Sequence, residues 1–309
     1  MKSADFTFQT VDGVKLHVSG WAIDQPKAVV HVLHGMAEYG SRYARLAGAL
    51  ADAGYTTYAH DHRGHGKSVN GGTTGHMADH DGWNRVVEDA HGVNREIAKR
   101  HPGLPIIVLG HSMGSFIAQQ LLFEHPADMI ATGLSGSNGK PPPIAAVGKI
   151  VARLERLRVG KRKPSGVLQK LTFEDYNKKF APNRTEADWL SRDPSEVDIY
   201  VADPLMGFAV TTQTWCDMLD ALGRIADRKN VARVPKDMPL YLFAGDEDPV
   251  GAEGKGMRNL YDSYKRAGVF DVRLKLYEGG RHEMLNETNR DEVMSDFIAW
   301  CDEVIAARA

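Results

Sequence analysis

The sequence predicts an α/β fold in which a mostly parallel sheet carries helices on both faces. Three observations point there. Strand-like segments alternate with helix-patterned ones along most of the chain. Several of those strands are continuously apolar, as strands buried on both faces must be. A glycine-flanked serine, in “GHSMG”, stands where one such strand hands over to a helix.

The elements follow in order. “FTFQTVDGVKLHVSGWA” reads as a hairpin, two short alternating segments around Asp12-Gly13. “AVVHVLHG” is a buried strand ending in glycine. “SRYARLAGALADAG” has helical spacing, and its terminal Gly54 suits a C-cap. “YTTYAHD” is a strand, “WNRVVEDAHGVNREIAKRH” a helix, and “PIIVLG” a fully apolar strand. “SFIAQQLLFEHP” is a helix stopped at Pro126, and “MIATGLSG” a strand. The rhythm then breaks, and residues 138–202 are basic, proline-bearing and irregular. A stretch of about 65 residues is too long for a plain loop. It reads as an inserted cap between core segments 1–137 and 203–309. Beyond it come the strand “PLYLFAGD”, the helix “GKGMRNLYDSYKRAG”, the strand “VRLKLYEGG” and the closing helix “DEVMSDFIAWCDEVIAA”. The sheet expected from these segments has eight strands.

Within the cap, “PPPIAAVGKIVARLERLRVGKRK” places Val147, Ile150, Val151, Leu154 and Leu157 at helical spacing on one side. Lys149, Arg153, Arg156, Arg158, Lys161, Arg162 and Lys163 crowd the remainder. Two arrangements follow. An ordinary cap helix lays its apolar face on the core and solvates the basic one. A basic amphipathic lid instead makes transient contact with a membrane surface and admits a single-chain lipid.

Composition narrows the function. The 309 residues are 42% hydrophobic and 25% charged, an ordinary globular balance. A net charge of −2 argues against a nucleic-acid partner. The N-terminus has no apolar stretch behind its charge, so no signal peptide is expected. No run of about 18 apolar residues predicts a transmembrane helix. Cys216 and Cys301 are the only cysteines, which favours reduced thiols and a cytoplasmic location.

Gly110-His111-Ser112-Met113-Gly114 fits G-x-S-x-G in its strand-to-helix context. A serine there is held in a strained conformation, and small neighbours make room for it. A hydroxyl is a weak nucleophile and needs a base. Only His125 and His282 follow the serine in the chain. His125 closes the helix after the serine and points away from the strand ends, which leaves His282. The acid should lie between them at a strand end, in Asp246-Glu247-Asp248-Pro249-Val250. Asp248 is favoured over Asp246, because Pro249-Val250 lets the chain turn while the carboxylate points back. The N–H groups of Met36, after “VLHG”, and Met113 are placed to face an oxyanion.

Four stretches together resemble the monoglyceride lipase/lysophospholipase group of α/β-hydrolases, also called serine aminopeptidase-like hydrolases. They are “HGMAEYGSRY”, “DHRGHGKS”, “GHSMGS”, and “GDEDPV” followed by “EGGRHEMLNE”. “ADPL” at 202–205 resembles the family's exit from the cap. The resemblance implies Ser112 as nucleophile, Asp248 as orienting acid and His282 as base, with Met36 and Met113 as oxyanion donors. It implies a carboxylester hydrolase working through an acyl-enzyme on monoacylglycerols, lysophospholipids or small acyl esters. No metal or organic cofactor is required. Met36 departs from the small residue usual in the family.

Two other readings are open to the sequence. His60, His62 and His65 have the spacing of the dinuclear zinc motif H-x-H-x-D-H, although Gly64 stands where the aspartate is needed. The plainer reading is a turn shaped by Asp61, Arg63, Gly64 and Gly66 with some exposed imidazoles. A non-catalytic binding protein on the same fold is the other reading, and it would usually lack a triad member.

Overall fold

The computed structural model describes residues 1–141 and 144–308, so Pro142, Pro143 and Ala309 lie outside the described residues. Among the described residues nine strands form one sheet: β1 (Lys2–Ser3), β2 (Phe6–Gln9), β3 (Lys15–Ala22), β4 (Ala28–Leu33), β5 (Tyr55–His60), β6 (Ile106–His111), β7 (Ala131–Ser135), β8 (Leu240–Gly245) and β9 (Val272–Tyr277). Their order is β1-β3-β5-β4-β6-β7-β8-β9, with β2 also on β3. From β5 to β9 every pairing is parallel, and β1, β2 and β5 pair with β3 antiparallel. The sequence predicts eight strands. The ninth is β1, whose two residues are too few to carry a period of two.

The predicted helices are present. They are α1 (Ala44–Asp52), α2 (Gly82–Arg100), α3 (Met113–Glu124) and α4 (Ile144–Val159), and after them α7 (Lys255–Arg266) and α8 (Arg290–Ala306); α5 (Pro194–Ala202) and α6 (Thr212–Ile225) are helices that the sequence pattern does not assign. Leu46 and Leu50 of α1 and Phe297 and Trp300 of α8 pack with Tyr55 and Phe243 on one face of the sheet. On the other face, Val87 of α2, Ile117 of α3 and Leu260 of α7 pack with Leu33, Val108 and Leu242. The continuous apolar strands are therefore covered on both sides, as their composition requires. No helix among the described residues is long and apolar enough to cross a membrane.

Helices α4, α5 and α6 all lie between β7 and β8. The orientation of α4 overturns the ordinary arrangement expected for it. Val147, Ile150, Leu154 and Leu157 are exposed, between 53% and 79% of their surface. Ala152 and Glu155 are buried instead, and Val151 packs on the core. The cations have partners, although Arg153, Arg158 and Arg162 stay more than half exposed. Lys149 and Arg153 pair with Asp220 of α6, and Arg156 donates to Gln213. Arg158 pairs with Glu155, and Arg162 with Asp79. Ion pairs and hydrogen bonds thus set how the helix is rotated, and its apolar row is left outside.

Glycines set how closely β6 and α3 approach β4. A methyl group on Gly114 would collide with the Leu33 carbonyl, and one on Gly110 with the Gly114 backbone. Gly48, inside α1, has nothing within 4 Å of where its Cβ would stand. Gly114→Ala should destabilise the protein by about 3 kcal/mol or more by overpacking. Gly48→Ala should stabilise it by about 0.5–1 kcal/mol through helix propensity. Urea unfolding of both variants checks the contrast, and similar shifts for the two would contradict it.

Candidate active site

The site grows from the turn between β6 and α3. Ser112 sits there with φ 51° and ψ −121°, a region that costs a non-glycine residue strain. The turn is held on both sides. Ser112 N–H donates to the Ser135 carbonyl at 2.9 Å, and the Ser115 and Phe116 N–H groups donate to the Ser112 carbonyl at 2.9 and 3.3 Å. Met113 is the first residue of α3, so its N–H has no intrahelical acceptor. Among the described residues, neither the Met113 nor the Met36 N–H finds an acceptor. Both residues line the same cavity as Ser112.

His282 and Asp248 arrive from the loops after β9 and β8. Both Asp248 carboxylate oxygens lie 3.0 Å from His282 Nδ1. Both side chains are buried. The Val250 N–H donates to Asp248 Oδ1 at 2.9 Å and fixes the carboxylate, whereas Asp246 accepts from the Gly279 N–H at 2.8 Å and stays off His282. Burial pushes the imidazole toward neutrality, but the Asp248 charge and hydrogen bond outweigh it, so the His282 pKa is raised above 6.5. His282 lines the cavity with Ser112, and the cavity has a volume of about 1420 Å³. Its walls include Phe116, Val151, Leu168, Met218 and Leu222, so it is largely apolar.

Three features here are not evident in the sequence pattern. The segment between β7 and β8 reaches His282 directly. The His282 N–H donates to the Trp189 carbonyl at 3.4 Å, the Glu283 N–H donates to the Leu190 carbonyl at 2.8 Å, and the Trp189 ring lies 5.1 Å from the imidazole. A buried cation joins the loops on either side of the serine. Arg42 donates to Glu38 at 2.6 Å and makes a two-pronged contact with Glu283 at 2.9 Å. Glu38 Oε1 in turn accepts from the Gly35 N–H at 2.5 Å, next to Met36. Burial drives the Glu38 carboxyl pKa up, and the paired guanidinium draws that of Glu283 down to about 2 against the same burial. The i,i+4 spacing of Glu38 and Arg42 is visible in the sequence, but Glu283 lies 241 residues away. Third, His111 faces His282 at 4.8 Å, and burial holds its pKa down to about 3.

The dinuclear zinc reading does not fit. His60, His62 and His65 are buried rather than exposed. His60 spends its ring nitrogens on other imidazoles, with Nδ1 3.0 Å from His31 Nε2 and Nε2 3.0 Å from His62 Nδ1. The row ends at Asn94 Oδ1, 3.1 Å from His31 Nδ1, and at the His34 carbonyl, 3.1 Å from His62 Nε2. His65 Nδ1 faces the Arg63 carbonyl at 3.2 Å. Asp61 points elsewhere, accepting from the Gly40 and Lys67 N–H groups. Arg63 pairs with Asp89 and Asp12, while Gly64 and Gly66 take positive φ, so this stretch is a structural turn. His125 lies at the far end of α3, outside the cavity.

A serine at a helix N-terminus, a carboxylate-paired imidazole in the same cavity and two unused N–H groups can support nucleophilic acyl transfer. The comparisons agree with that chemistry. Residues 24–289 match the family described as serine aminopeptidase, S33. The chain is 33% identical over 306 residues to a monoacylglycerol lipase of Mycolicibacterium smegmatis, covering 96% of each. It is 30% identical over 286 residues to a human monoglyceride lipase, covering 89% of this chain and 82% of that one. A thermostable carboxyl esterase from Bacillus coagulans, solved with glycerol, superposes with a TM-score of 0.91 at 28% identity, over 99% of both chains. The chain belongs to the serine aminopeptidase S33 family of α/β-hydrolases and is a carboxylester hydrolase.

Proposed function

We propose that the chain hydrolyses monoacylglycerols and related single-chain acyl esters through a Ser112 acyl-enzyme. The observation that carries this reading is the buried Asp248–His282 pair sharing an apolar cavity with the strained Ser112. Ser112 Oγ attacks the ester carbonyl while His282 Nε2 takes its proton. Asp248 keeps the Nδ1 proton of His282 in place and stabilises the imidazolium. The Met36 and Met113 N–H groups receive the oxyanion. The imidazolium then protonates the departing glycerol, and water repeats the sequence on the acyl-enzyme. A panel of p-nitrophenyl esters of increasing chain length, run beside monoacylglycerol and lysophosphatidylcholine, tests the substrate class. A preference that peaks at the shortest acyl chain would count against it.

The exposed row of α4 supports a second element of the proposal, contact with a lipid surface. Val147 both belongs to this row and lines the cavity, so the row is continuous with the substrate space. Because the neighbouring cations are paired, apolar insertion rather than attraction to anionic lipid should dominate.

Three outcomes follow from this reading. Ser112→Ala should lower ester turnover by several orders of magnitude with the fold intact, while a chelator leaves turnover unchanged. Chelator-sensitive turnover that survives Ser112→Ala would reverse the assignment. For pH, the base must be neutral to act, so activity falls as pH drops through the His282 pKa. The acid limb of kcat/KM should therefore have its midpoint above 6.5. In Asp248→Asn the raising carboxylate is gone and burial remains, so any residual activity should show a limb moved to lower pH. An unmoved limb would assign it to another group. Finally, Ile150→Ser with Leu154→Ser should cut hydrolysis of vesicle-borne monoacylglycerol by about tenfold or more through lost apolar burial. A soluble short-chain ester should be spared, and added salt should change vesicle binding little. Equal loss on both substrates would reduce the row to a structural role.

A further inference from the structure

A cluster outside the catalytic cavity joins the C-terminal end of α3 to the middle of α2. Glu88 and His91 stand three residues apart on α2 and so share one face. His125 is the C-cap of α3 and leans against them. The His91 and His125 rings stack in parallel, 3.8 Å apart and 12° from coplanar, and His125 Nε2 lies 3.0 Å from Glu88 Oε1. One donor atom from each of the three residues falls within 4.8 Å of the others. Donors around a tetrahedral zinc ion sit about 3.3 Å apart for bonds of about 2.0 Å, so side-chain adjustments would close the set.

The surroundings resemble an outer coordination shell. Asp128 Oδ2 lies 2.5 Å from His91 Nδ1 but outside hydrogen-bond geometry, so a small ring rotation would let this carboxylate orient the imidazole. Arg95 balances Asp128 from 3.7 Å. The Asp128 carbonyl is held by Asn94 Nδ2 at 2.8 Å, which ties the loop to α2. Both imidazoles are about three-quarters buried while Glu88 is 59% exposed, so the third ligand opens to solvent, and the stacked rings would have to turn toward a shared ion. Two imidazoles and one carboxylate suit zinc and its neighbours in the transition series rather than magnesium or calcium.

We propose that Glu88, His91 and His125 bind a divalent transition-metal ion, zinc foremost, with water in the open position. The 12 residues of α3 separate this site from Ser112 by about 18 Å. The ion therefore acts on stability, clamping α2 to the end of α3, and not on ester chemistry.

The test titrates Zn2+ into chelator-stripped protein by calorimetry and follows the unfolding temperature in parallel. The wild-type chain should take up one ion and gain thermal stability, since the ion binds the folded state. Asp128→Asn should weaken uptake by about tenfold, as outer-shell changes do. His125→Ala and Glu88→Gln should each weaken it further. Ester turnover should be unchanged in all three, which also reports that they fold. The proposal stands if both ligand substitutions weaken uptake. It falls if the wild type takes up no ion, or if either ligand variant binds it as the wild type does.

Discussion

Contact between backbones at the ends of β4 and β6 is the constraint on which the site depends. The start of α3 presses on the Leu33 and His34 carbonyls because Gly114 has no side chain. Gly35 stands so close that a Cβ there would be 3.2 Å from the Ser112 Cβ. This proximity brings Met36 and Met113, from distant parts of the chain, into one cavity with Ser112. A similar closeness recurs between Gly245 and Gly280, where the loops carrying Asp248 and His282 meet. The positions of Ser112, Asp248 and His282 thus depend on close approach of main chain to main chain.

Charge then locks what the glycines permit. Arg42, Glu38 and Glu283 are each more than nine-tenths buried. As a unit, such a cluster gains little over an apolar one, but removing one member typically costs about 3–5 kcal/mol. Glu38 holds the loop of Met36 and Glu283 adjoins His282, so the guanidinium ties the loop of Met36 to that of His282. Trp189 and Leu190 add backbone bonds from above.

Much of this was legible in the sequence because it rests on local pattern. Continuous apolar strands, the strand–serine–helix junction and the order serine, acid, histidine are written in short stretches. Pro249 and Val250 distinguish Asp248 from Asp246, and the bond from Val250 to Asp248 is the physical form of that clue. What escaped is long-range. The rotation of α4 depends on Asp220 and Gln213, more than fifty residues beyond it, so its apolar stripe alone could not say which side meets the protein. The bond between Arg42 and Glu283 spans 241 residues. The spacing of His60, His62 and His65 suggested ligands because no local signal reveals that His31 lies across the sheet, ready to bond to His60.

That row of imidazoles has a consequence in proton arithmetic. Asn94 Oδ1, His31, His60, His62 and the His34 carbonyl are joined by four contacts, and both ends can only accept. Burial lowers the His31 pKa to about 4 and those of His60 and His62 well below the ordinary value, so all three rings are neutral. A neutral imidazole carries one N–H. Three protons thus serve four contacts, and one contact is always without a proton. Four tautomeric arrangements place that gap at one end, the other end or either contact between, and each satisfies the remaining three. Moving the gap by one step requires a single ring to exchange its protonated nitrogen, while no heavy atom need change place. The rings are fixed in position, yet their protons can be placed in four different orders along the row.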